Sequence, residues 1–143
     1  MSTVMTEAER EAFLADRHVG VLAVSRDGRA PLAVPIWYGY EPGGDVLLWM
    51  DRDSMKDRAI RKAGRVSLVA QFEQFPYAYV SVEGPVVAND EPPTREEALA
   101  IAGRYLPQAD AQAFVEANLR SDGSSILVRM RPERWLSQDQ SKS

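Results

Sequence analysis

Tight-turn signals divide this chain into short segments, and their spacing constrains the fold more than any other feature. Asp-Gly at residues 27–28 separates two apolar runs, and its glycine supplies the positive φ that a two-residue hairpin turn requires. Pro-Gly-Gly-Asp at 42–45 marks a second turn between two further runs, and Asp-Gly at 122–123 turns the chain into a last strand. Strands joined by tight turns run antiparallel, whereas parallel strands need crossover connections of about a dozen residues or more. The turns therefore predict an antiparallel sheet.

Between the turns, six apolar runs are predicted strands and four other segments are predicted helices. The strands cover residues 19–24, 30–40, 46–50, 65–72, 77–88 and 125–131, and the helices cover 7–16, 54–63, 94–105 and 109–119. Thr6 and Thr94 are each followed three residues later by a Glu, which is the signature of a capping box at a helix start.

Prolines mark irregular positions within two of the strands. Pro35 has no backbone N–H, so it predicts an edge, a bulge, or a place where the backbone faces something other than a strand. Gly84-Pro85 predicts a bulge in its strand. Together the elements predict a mainly β chain of the α+β class, a six-stranded antiparallel barrel with peripheral helices. The 143 residues fit one domain, with residues 1–6 and 138–143 flexible.

The composition argues against several classes of function. The chain has no cysteine, which excludes disulfides, thiolate catalysis and cysteine-based zinc sites. Its formal net charge of -4 argues against general nucleic-acid binding, which requires a basic face. No apolar run approaches the ~18 residues of a membrane span, and the first residues lack the apolar core of a signal peptide. We therefore expect a cytoplasmic protein that binds neither nucleic acid nor a membrane.

Positive charge is concentrated next to an apolar ledge. Six of the 17 Lys and Arg residues lie within residues 52–65, although the whole chain is acidic. Ser54 and Lys56 stand at the start of a predicted helix, where unpaired N–H groups favour an anion. Two apolar strands that carry Trp37 and Trp49 lead to the same place. A planar ring with a phosphate suits this pairing, whereas the simpler interpretation of a charge run is a solvated helix face.

No residue pattern supplies a catalytic apparatus. His18 is the only histidine, and no spacing of Asp or Glu accompanies it to build a metal site. The Gly-x-Ser-x-Gly motif and the glycine-rich nucleotide loops are missing. If the protein is an enzyme, a cofactor therefore carries the chemistry. Trp135 lies where a monomer offers little core, so a partner chain or a ligand is its expected neighbour.

Several segments, in this order and spacing, resemble one known family. They are Gly-Val-Leu-Ala-Val at 20–24, residues 31–38, Trp-Met-Asp at 49–51, Ser-Met-Lys-Asp-Arg at 54–58, residues 65–69 and Val-Ser-Val-Glu-Gly at 80–84. With Trp135, they resemble the flavin and deazaflavin split-barrel proteins, the pyridoxamine 5'-phosphate oxidase-like superfamily. The resemblance covers roughly residues 7–136. It implies a split β-barrel and a homodimer with two cofactor sites at the interface.

The resemblance also implies which residues bind the cofactor. Ser54 and Lys56 would bind its phosphate, with Arg61 as a helper. The ring would be bordered by Pro35, Ile36, Trp37, Trp49, Met50 and Asp51. Tyr79 and Trp135 would approach from the other subunit. No catalytic residue is assigned, and a proton could come from water or from a tyrosine such as Tyr79.

These implications lead to one functional hypothesis and several alternatives. The hypothesis is an oxidoreductase that depends on the deazaflavin coenzyme F-420 and transfers hydride to an unsaturated small molecule. F-420 has an acidic tail besides its phosphate, so the six cations favour it over FMN, which has one phosphate. The alternatives are an FMN-dependent reductase or oxidase, a non-catalytic dimer that binds or stores the cofactor, and a pocket that is empty or holds another planar ligand such as haem. Vitamin B6 oxidation is not expected, because Arg134-Trp135-Leu136 replaces the Arg-x-His element of those oxidases.

Overall fold

The chain begins with a helix and then forms the strands of a curled sheet, with two further helices inserted before the last strands. A computed structural model describes residues 2–143. The helices are α1 (Glu7–Ala15), α2 (Met55–Ala63), α3 (Arg95–Gly103) and α4 (Gln108–Asn118), and a short 3-10 helix covers Gln140–Lys142. The strands are β1 (Gly20–Val24), β2 (Leu32–Ile36), β3 (Val46–Asp51), β4 (Arg65–Phe72), β5 (Ala78–Ala88), β6 (Ser125–Met130) and β7 (Arg134–Asp139). Every predicted helix and strand is present, and β7 is additional.

The strands pair into one antiparallel sheet that curls into a split barrel, which confirms the predicted fold class. Their order is β2-β1-β4-β5-β6-β3, and β7 pairs with β5 outside this path. Two backbone hydrogen bonds of 2.8 and 2.9 Å join Gly39 and Leu47, so the segment after β2 meets β3. Pro35 lies on β2, which pairs with β1 alone among the named strands. An edge position therefore explains this proline.

The long strand β5 connects the two halves of the barrel. It pairs with β4 and β7 along its first part and with β6 near its end. Its register shifts between Val86 and Ala88, whereas Gly84 and Pro85 pair regularly with β4, so the predicted bulge was placed too early. Gly84 has another role, because a Cβ at this position would lie 1.8 Å from the carbonyl oxygen of Arg131. The glycine permits this close approach of two backbones.

The seventh strand was missed because its sequence, Arg-Trp-Leu-Ser-Gln-Asp, lacks an apolar run. β7 pairs with β5 along its whole length. At its end, the N–H of Asp139 donates to the carbonyl oxygen of Thr3 at 2.8 Å, which brings the two ends of the chain together. The flexibility expected for residues 1–6 and 138–143 stays a prediction.

Local signals set the helix boundaries. Thr6 and Thr94 form the two predicted capping boxes, with hydrogen bonds in both directions to the glutamates that follow them. Ser54 caps α2 by accepting a hydrogen bond from the N–H of Asp57 at 3.2 Å. Gly64 ends α2 with a φ of 72°, as predicted. None of the helices within residues 2–143 combines the length and the apolar character needed to cross a bilayer.

The buried side chains form two separate clusters. Alternate residues of β1, β3 and β4 point into the barrel, where Leu14 of α1 and Ile60 of α2 are fully buried with them. The second cluster lies between α3 and α4 and consists of Ala98, Ala102, Ala111 and Val115. Trp37 and Trp49 pack against this second cluster. Helices α3 and α4 therefore cover the apolar ledge that carries Trp37 and Trp49.

An ion pair between the two ends of the chain makes stability depend on pH. Nζ of Lys142 lies 2.6 Å from Oε1 of Glu9, and this hydrogen bond is the main cause that lowers the pKa of Glu9 from 4.5 to about 2. Because folding favours the carboxylate, its stabilising effect is present above pH 4.5 and is lost as the pH falls towards 2. We expect the melting temperature of Lys142→Ala to fall less than that of the wild type as the pH is lowered from 4.5 towards 2. Circular dichroism measures this melting temperature.

The matched control for this experiment is Lys62→Ala. Lys62 is 3.0 Å from Asp27 in an exposed pair on another part of the surface. This variant should keep the wild-type slope of melting temperature against pH. A Lys142→Ala variant with the same slope as wild type would contradict the role of the pair.

Candidate functional site

One buried carboxylate holds the turn between β3 and α2. Asp57 is fully buried, and it accepts hydrogen bonds from the N–H of Asp53 at 2.7 Å and from Nε of Arg61 at 2.8 Å. Asp53 has a φ of 64°, in the left-handed region that non-glycine residues seldom adopt. Ser54 follows it and caps α2. These bonds fix the direction in which the first turn of α2 presents Lys56.

Five of the six cations within residues 52–65 are engaged by the protein itself. Donation to backbone carbonyl groups occupies Arg52 and Arg58, and ion pairs with carboxylates occupy Arg61, Lys62 and Arg65. The pKa of Arg61 is raised, chiefly by its hydrogen bond to Asp90. Most of this positive charge therefore stabilises the fold. The count of six cations overestimated the charge that is available to a ligand.

Lys56 is the exception among these cations. It is half-buried, and none of the ion pairs within residues 2–143 includes it. It lines a cavity of about 230 Å³. The other lining residues are Ile36, Trp37, Trp49, Met50, Asp51, Ile101, Phe114 and Asn118. The structure thus brings six of the predicted binding residues, Lys56 included, to one cavity.

Aromatic rings form one wall of this cavity. The ring of Trp37 stacks on Tyr105 with centroids 4.9 Å apart and planes inclined by 8°. Phe114 lies between the two tryptophans, with its centroid 5.1 Å from Trp37 and 5.7 Å from Trp49. The hydroxyl of Tyr105 donates to the carbonyl oxygen of His18 at 2.6 Å. Each ring of the wall is therefore held by a neighbour before any ligand binds.

Sequence reasoning missed the part of the cavity that the late helices supply. α3 contributes Ile101, and α4 contributes Phe114 and Asn118. Both helices were predicted, but their position relative to the barrel depends on tertiary packing. The spacing of four residues between Phe114 and Asn118 was the available signal, because it places both side chains on one face of the helix.

A second and more open cavity begins at the same helix start. Ser54 lines this cavity, of about 600 Å³, rather than the one beside Lys56. Its cations are Arg26, Arg29, Arg58 and Lys62, and its acids are Asp27 and Asp53. The predicted helper Arg61 lines neither cavity, because its guanidinium donates to Asp57, Asp90 and the carbonyl oxygen of Asn89.

Trp135 packs within its own chain. Its ring is half-buried against the barrel core, and the guanidinium of Arg10 lies 4.7 Å from the ring centroid. The ring of Tyr40 meets it edge-on at 6.3 Å. A single copy therefore buries part of this ring, and the expected contact of Trp135 with a partner chain or a ligand stays a prediction.

The outer face of the sheet carries a continuous row of small and apolar residues. In register across β2, β1, β4, β5 and β7, the row consists of Pro35, Val21, Val69, Ser81 and Leu136. The exposed fraction of Leu136 is 62%, and Pro35 is also exposed. Tyr79 is two residues from Ser81, so it lies on the same face of β5. Pro35 and Tyr79 therefore lie on the same face of the sheet.

His18 is held by packing rather than placed for chemistry. Its ring stacks on Phe13 with centroids 4.4 Å apart, and Nε2 lies 3.0 Å from the carbonyl oxygen of Phe13. Burial lowers the pKa of His18. Across residues 2–143, no group of three or more His, Asp or Glu side chains is placed to hold a metal ion.

The fold and the site together define a class of protein, a split barrel in which a lysine outside the ion pairs of residues 2–143 lies beside two tryptophans. Comparison with known families identifies the class more closely. A family model described as pyridoxamine 5'-phosphate oxidase matches residues 6–135, and the chain belongs to that family. No curated protein matches the sequence.

Solved structures share the fold over most of the chain. A conserved hypothetical protein, Rv2991 from Mycobacterium tuberculosis, is 24% identical with a TM-score of 0.80, covering 99% of this chain and 89% of that one. An F-420 reductase is 22% identical with a TM-score of 0.70, covering 88% and 94%. A FAD-binding protein from Mesorhizobium loti is 20% identical with a TM-score of 0.63, covering 95% and 96%. At these identities, the likeness establishes the split-barrel fold.

Proposed function

We propose that the protein is an oxidoreductase that uses a flavin-type cofactor, bound in the cavity beside Lys56. One observation carries the proposal: a half-buried lysine without an ion-pair partner in residues 2–143 adjoins Trp37 and Trp49. A partly buried charge is unfavourable unless a counter-charge accompanies it. A phosphate would supply that charge, and the tryptophans would border a planar ring. An F-420 reductase and a FAD-binding protein with the same fold support the proposal.

Each predicted residue has a task in this proposal. Lys56 neutralises the phosphate, and Ser54 adds a hydroxyl donor from the cap of α2. The residues that border the ring are Pro35, Ile36, Trp37, Trp49, Met50 and Asp51. Arg61 contributes indirectly, because it holds Asp57 and hence the turn that carries Lys56. When bound, the cofactor supplies the hydride that reduces an unsaturated small molecule.

A second copy of the chain completes the site in this proposal. The cavity of about 230 Å³ is smaller than typical ligand pockets of roughly 300–1,000 Å³. A homodimer joined through the row from Pro35 to Leu136 would bury exposed apolar surface. The partner copy would contribute Tyr79, which lies on that face, whereas Trp135 points to the other face of β7 and its contact with a partner stays a prediction. A cytoplasmic location belongs to the same proposal.

The finer proposal is that the cofactor is F-420. The acidic tail of F-420 continues beyond the phosphate, and the second cavity beside Ser54 carries a surplus of cations that would attract it. The shared fold with an F-420 reductase supports the same choice. FMN is the alternative, and one observation favours it: Lys56 is a single unpaired cation, which matches a single phosphate.

Quenching of tryptophan fluorescence tests the proposal, because two of the three tryptophans lie at the cavity. We expect the wild type to bind F-420 or FMN, and Lys56→Ala to weaken binding by about 1.5–3 kcal/mol, the range for a hydrogen bond to a charged group. Lys62→Ala is the matched control, since Lys62 pairs with Asp27 at the surface. The Lys62→Ala variant should bind FMN as the wild type does. It should bind F-420 more weakly, because Lys62 lines the proposed tail cavity.

The outcomes separate the alternatives. If the wild type binds neither cofactor at micromolar concentration, the proposed function is refuted. If Lys56→Ala binds as tightly as the wild type, Lys56 belongs to a solvated helix face and does not bind the phosphate. Tight binding without reduction of quinones or enones would favour a non-catalytic storage dimer.

A further inference from the structure

Asn118, the last residue of α4, brings an acceptor to the cavity beside Lys56. It lines that cavity. Its Nδ2 donates to the carbonyl oxygen of Phe114 at 2.9 Å, one helical turn earlier. No hydrogen bond within residues 2–143 engages its Oδ1. The side chain is therefore oriented by its own helix, while one acceptor remains for a ligand.

The position of Asn118 is fixed relative to Asp51. The hydroxyl of Ser125 contacts the carbonyl oxygen of Asn118 at 3.4 Å and accepts from the N–H of Arg120 at 3.1 Å. Ser125 is fully buried, and it is the cross-strand partner of Asp51 in the pairing of β3 with β6. The end of α4 and the end of β3 are therefore tied through one residue.

The polar groups around the cavity match one class of ligand. Lys56 is a donor, whereas the carboxylate of Asp51 and Oδ1 of Asn118 are acceptors. A phosphate satisfies the lysine but offers nothing to the two acceptors. Hydroxyl groups can donate to them, so a phosphate ester of a polyol satisfies all three groups.

We propose that Asn118 is a further cofactor-binding residue, whose Oδ1 accepts a hydrogen bond from a hydroxyl of the polyol chain next to the phosphate. The inference rests on the proposed function, because both FMN and F-420 carry a ribityl chain between ring and phosphate. It adds a residue from α4 to a site that the sequence placed only on β2, β3, β5, β7 and α2. The hydroxyl contact and the phosphate contact are separable, since different parts of the ligand make them.

A series of truncated ligands tests the inference. FMN has ring, polyol and phosphate, riboflavin lacks the phosphate, and lumiflavin lacks both phosphate and polyol. We expect Asn118→Leu to weaken FMN and riboflavin equally, by about 3- to 10-fold as for a neutral hydrogen bond, and to leave lumiflavin unchanged. Lys56→Ala should weaken FMN alone. Asn118→Asp keeps an acceptor and should bind riboflavin as the wild type does.

Gln112→Leu is the matched control, because Gln112 is an exposed amide on α4 that lines a different cavity. It should leave the whole series unchanged, and circular dichroism would show that each variant is folded. If the wild type binds F-420 but no flavin, the series becomes F-420 and its ribityl deazaflavin without phosphate and tail.

The inference and the proposed function fail in different ways. A wild type that binds no member of either series refutes the proposed function and the inference with it. A wild type that binds, with Asn118→Leu unchanged for riboflavin or for the ribityl deazaflavin, overturns the inference alone. An equal loss of lumiflavin binding also overturns it, because the substitution would then act through cavity shape rather than through a hydroxyl.

Discussion

Gly84→Ala is expected to lower the free energy of unfolding by about 3 kcal/mol or more, the upper range for forced overpacking. The new Cβ would lie 1.8 Å from the carbonyl oxygen of Arg131 and 2.9 Å from its carbonyl carbon. Both atoms belong to the backbone of Arg131, and its N–H donates a hydrogen bond to the carbonyl oxygen of Pro85 at 3.0 Å. Relief therefore requires β5 to shift against its partner strands. Urea denaturation followed by circular dichroism measures the loss.

Gly103→Ala is the control for this substitution. A Cβ at Gly103, the last residue of α3, would meet no atom within 4 Å. Alanine is the better helix former, so stability should stay the same or rise by up to about 1 kcal/mol. A Gly84→Ala protein as stable as Gly103→Ala would show that the backbone approach at Arg131 is not a constraint.

Asp57→Ala is expected to lower the free energy of unfolding by about 2–4 kcal/mol, as for other buried carboxylates that lose charged hydrogen bonds. The substitution leaves the N–H of Asp53 without its 2.7 Å partner and removes one of the hydrogen bonds that the guanidinium of Arg61 donates. The turn after β3 then loses the hydrogen bond that offsets the cost of the positive φ at Asp53. Because this turn presents Lys56, we also expect weaker FMN binding, measured by the same fluorescence titration.

Asp53→Gly separates the effect of the positive φ at residue 53 from the effect of the hydrogen bond to Asp57. Glycine adopts the observed φ of 64° without the cost that aspartate bears, and it keeps the N–H that Asp57 accepts from. Stability should therefore be retained or rise slightly, with FMN binding unchanged. Wild-type stability of Asp57→Ala would contradict the assignment of this carboxylate as the support of the turn.

The parts of the fold that short-range signals determine were predictable from sequence. Gly28 and Gly123 adopt the positive φ values that their turns require, at 66° and 88°. The capping boxes at Thr6 and Thr94 act within four residues of chain, so they are visible without knowledge of the fold. β7 was not predictable in this way, because its stability comes from pairing with β5 and not from its own largely polar sequence.

The same division applies to the candidate site. Trp37, Trp49 and Lys56 were predicted together and do line one cavity. The neutralisation of the neighbouring cations was not foreseen, since carboxylates such as Asp90 and Glu133 that pair with them lie well outside the basic segment. For the same reason, sequence showed how many cations there are but not how many remain for a ligand.

The small cluster between α3 and α4 is separate from the barrel core. Its fully buried members are mainly alanines, which contribute little apolar area, and aromatic rings such as Trp37 and Phe114 join it to the barrel. Local unfolding requires the least free energy where few apolar contacts are buried. We therefore expect α3 and α4 to move away from the cavity more readily than β3 and α2, which would let a ligand enter while β3 and α2 keep their hydrogen bonds.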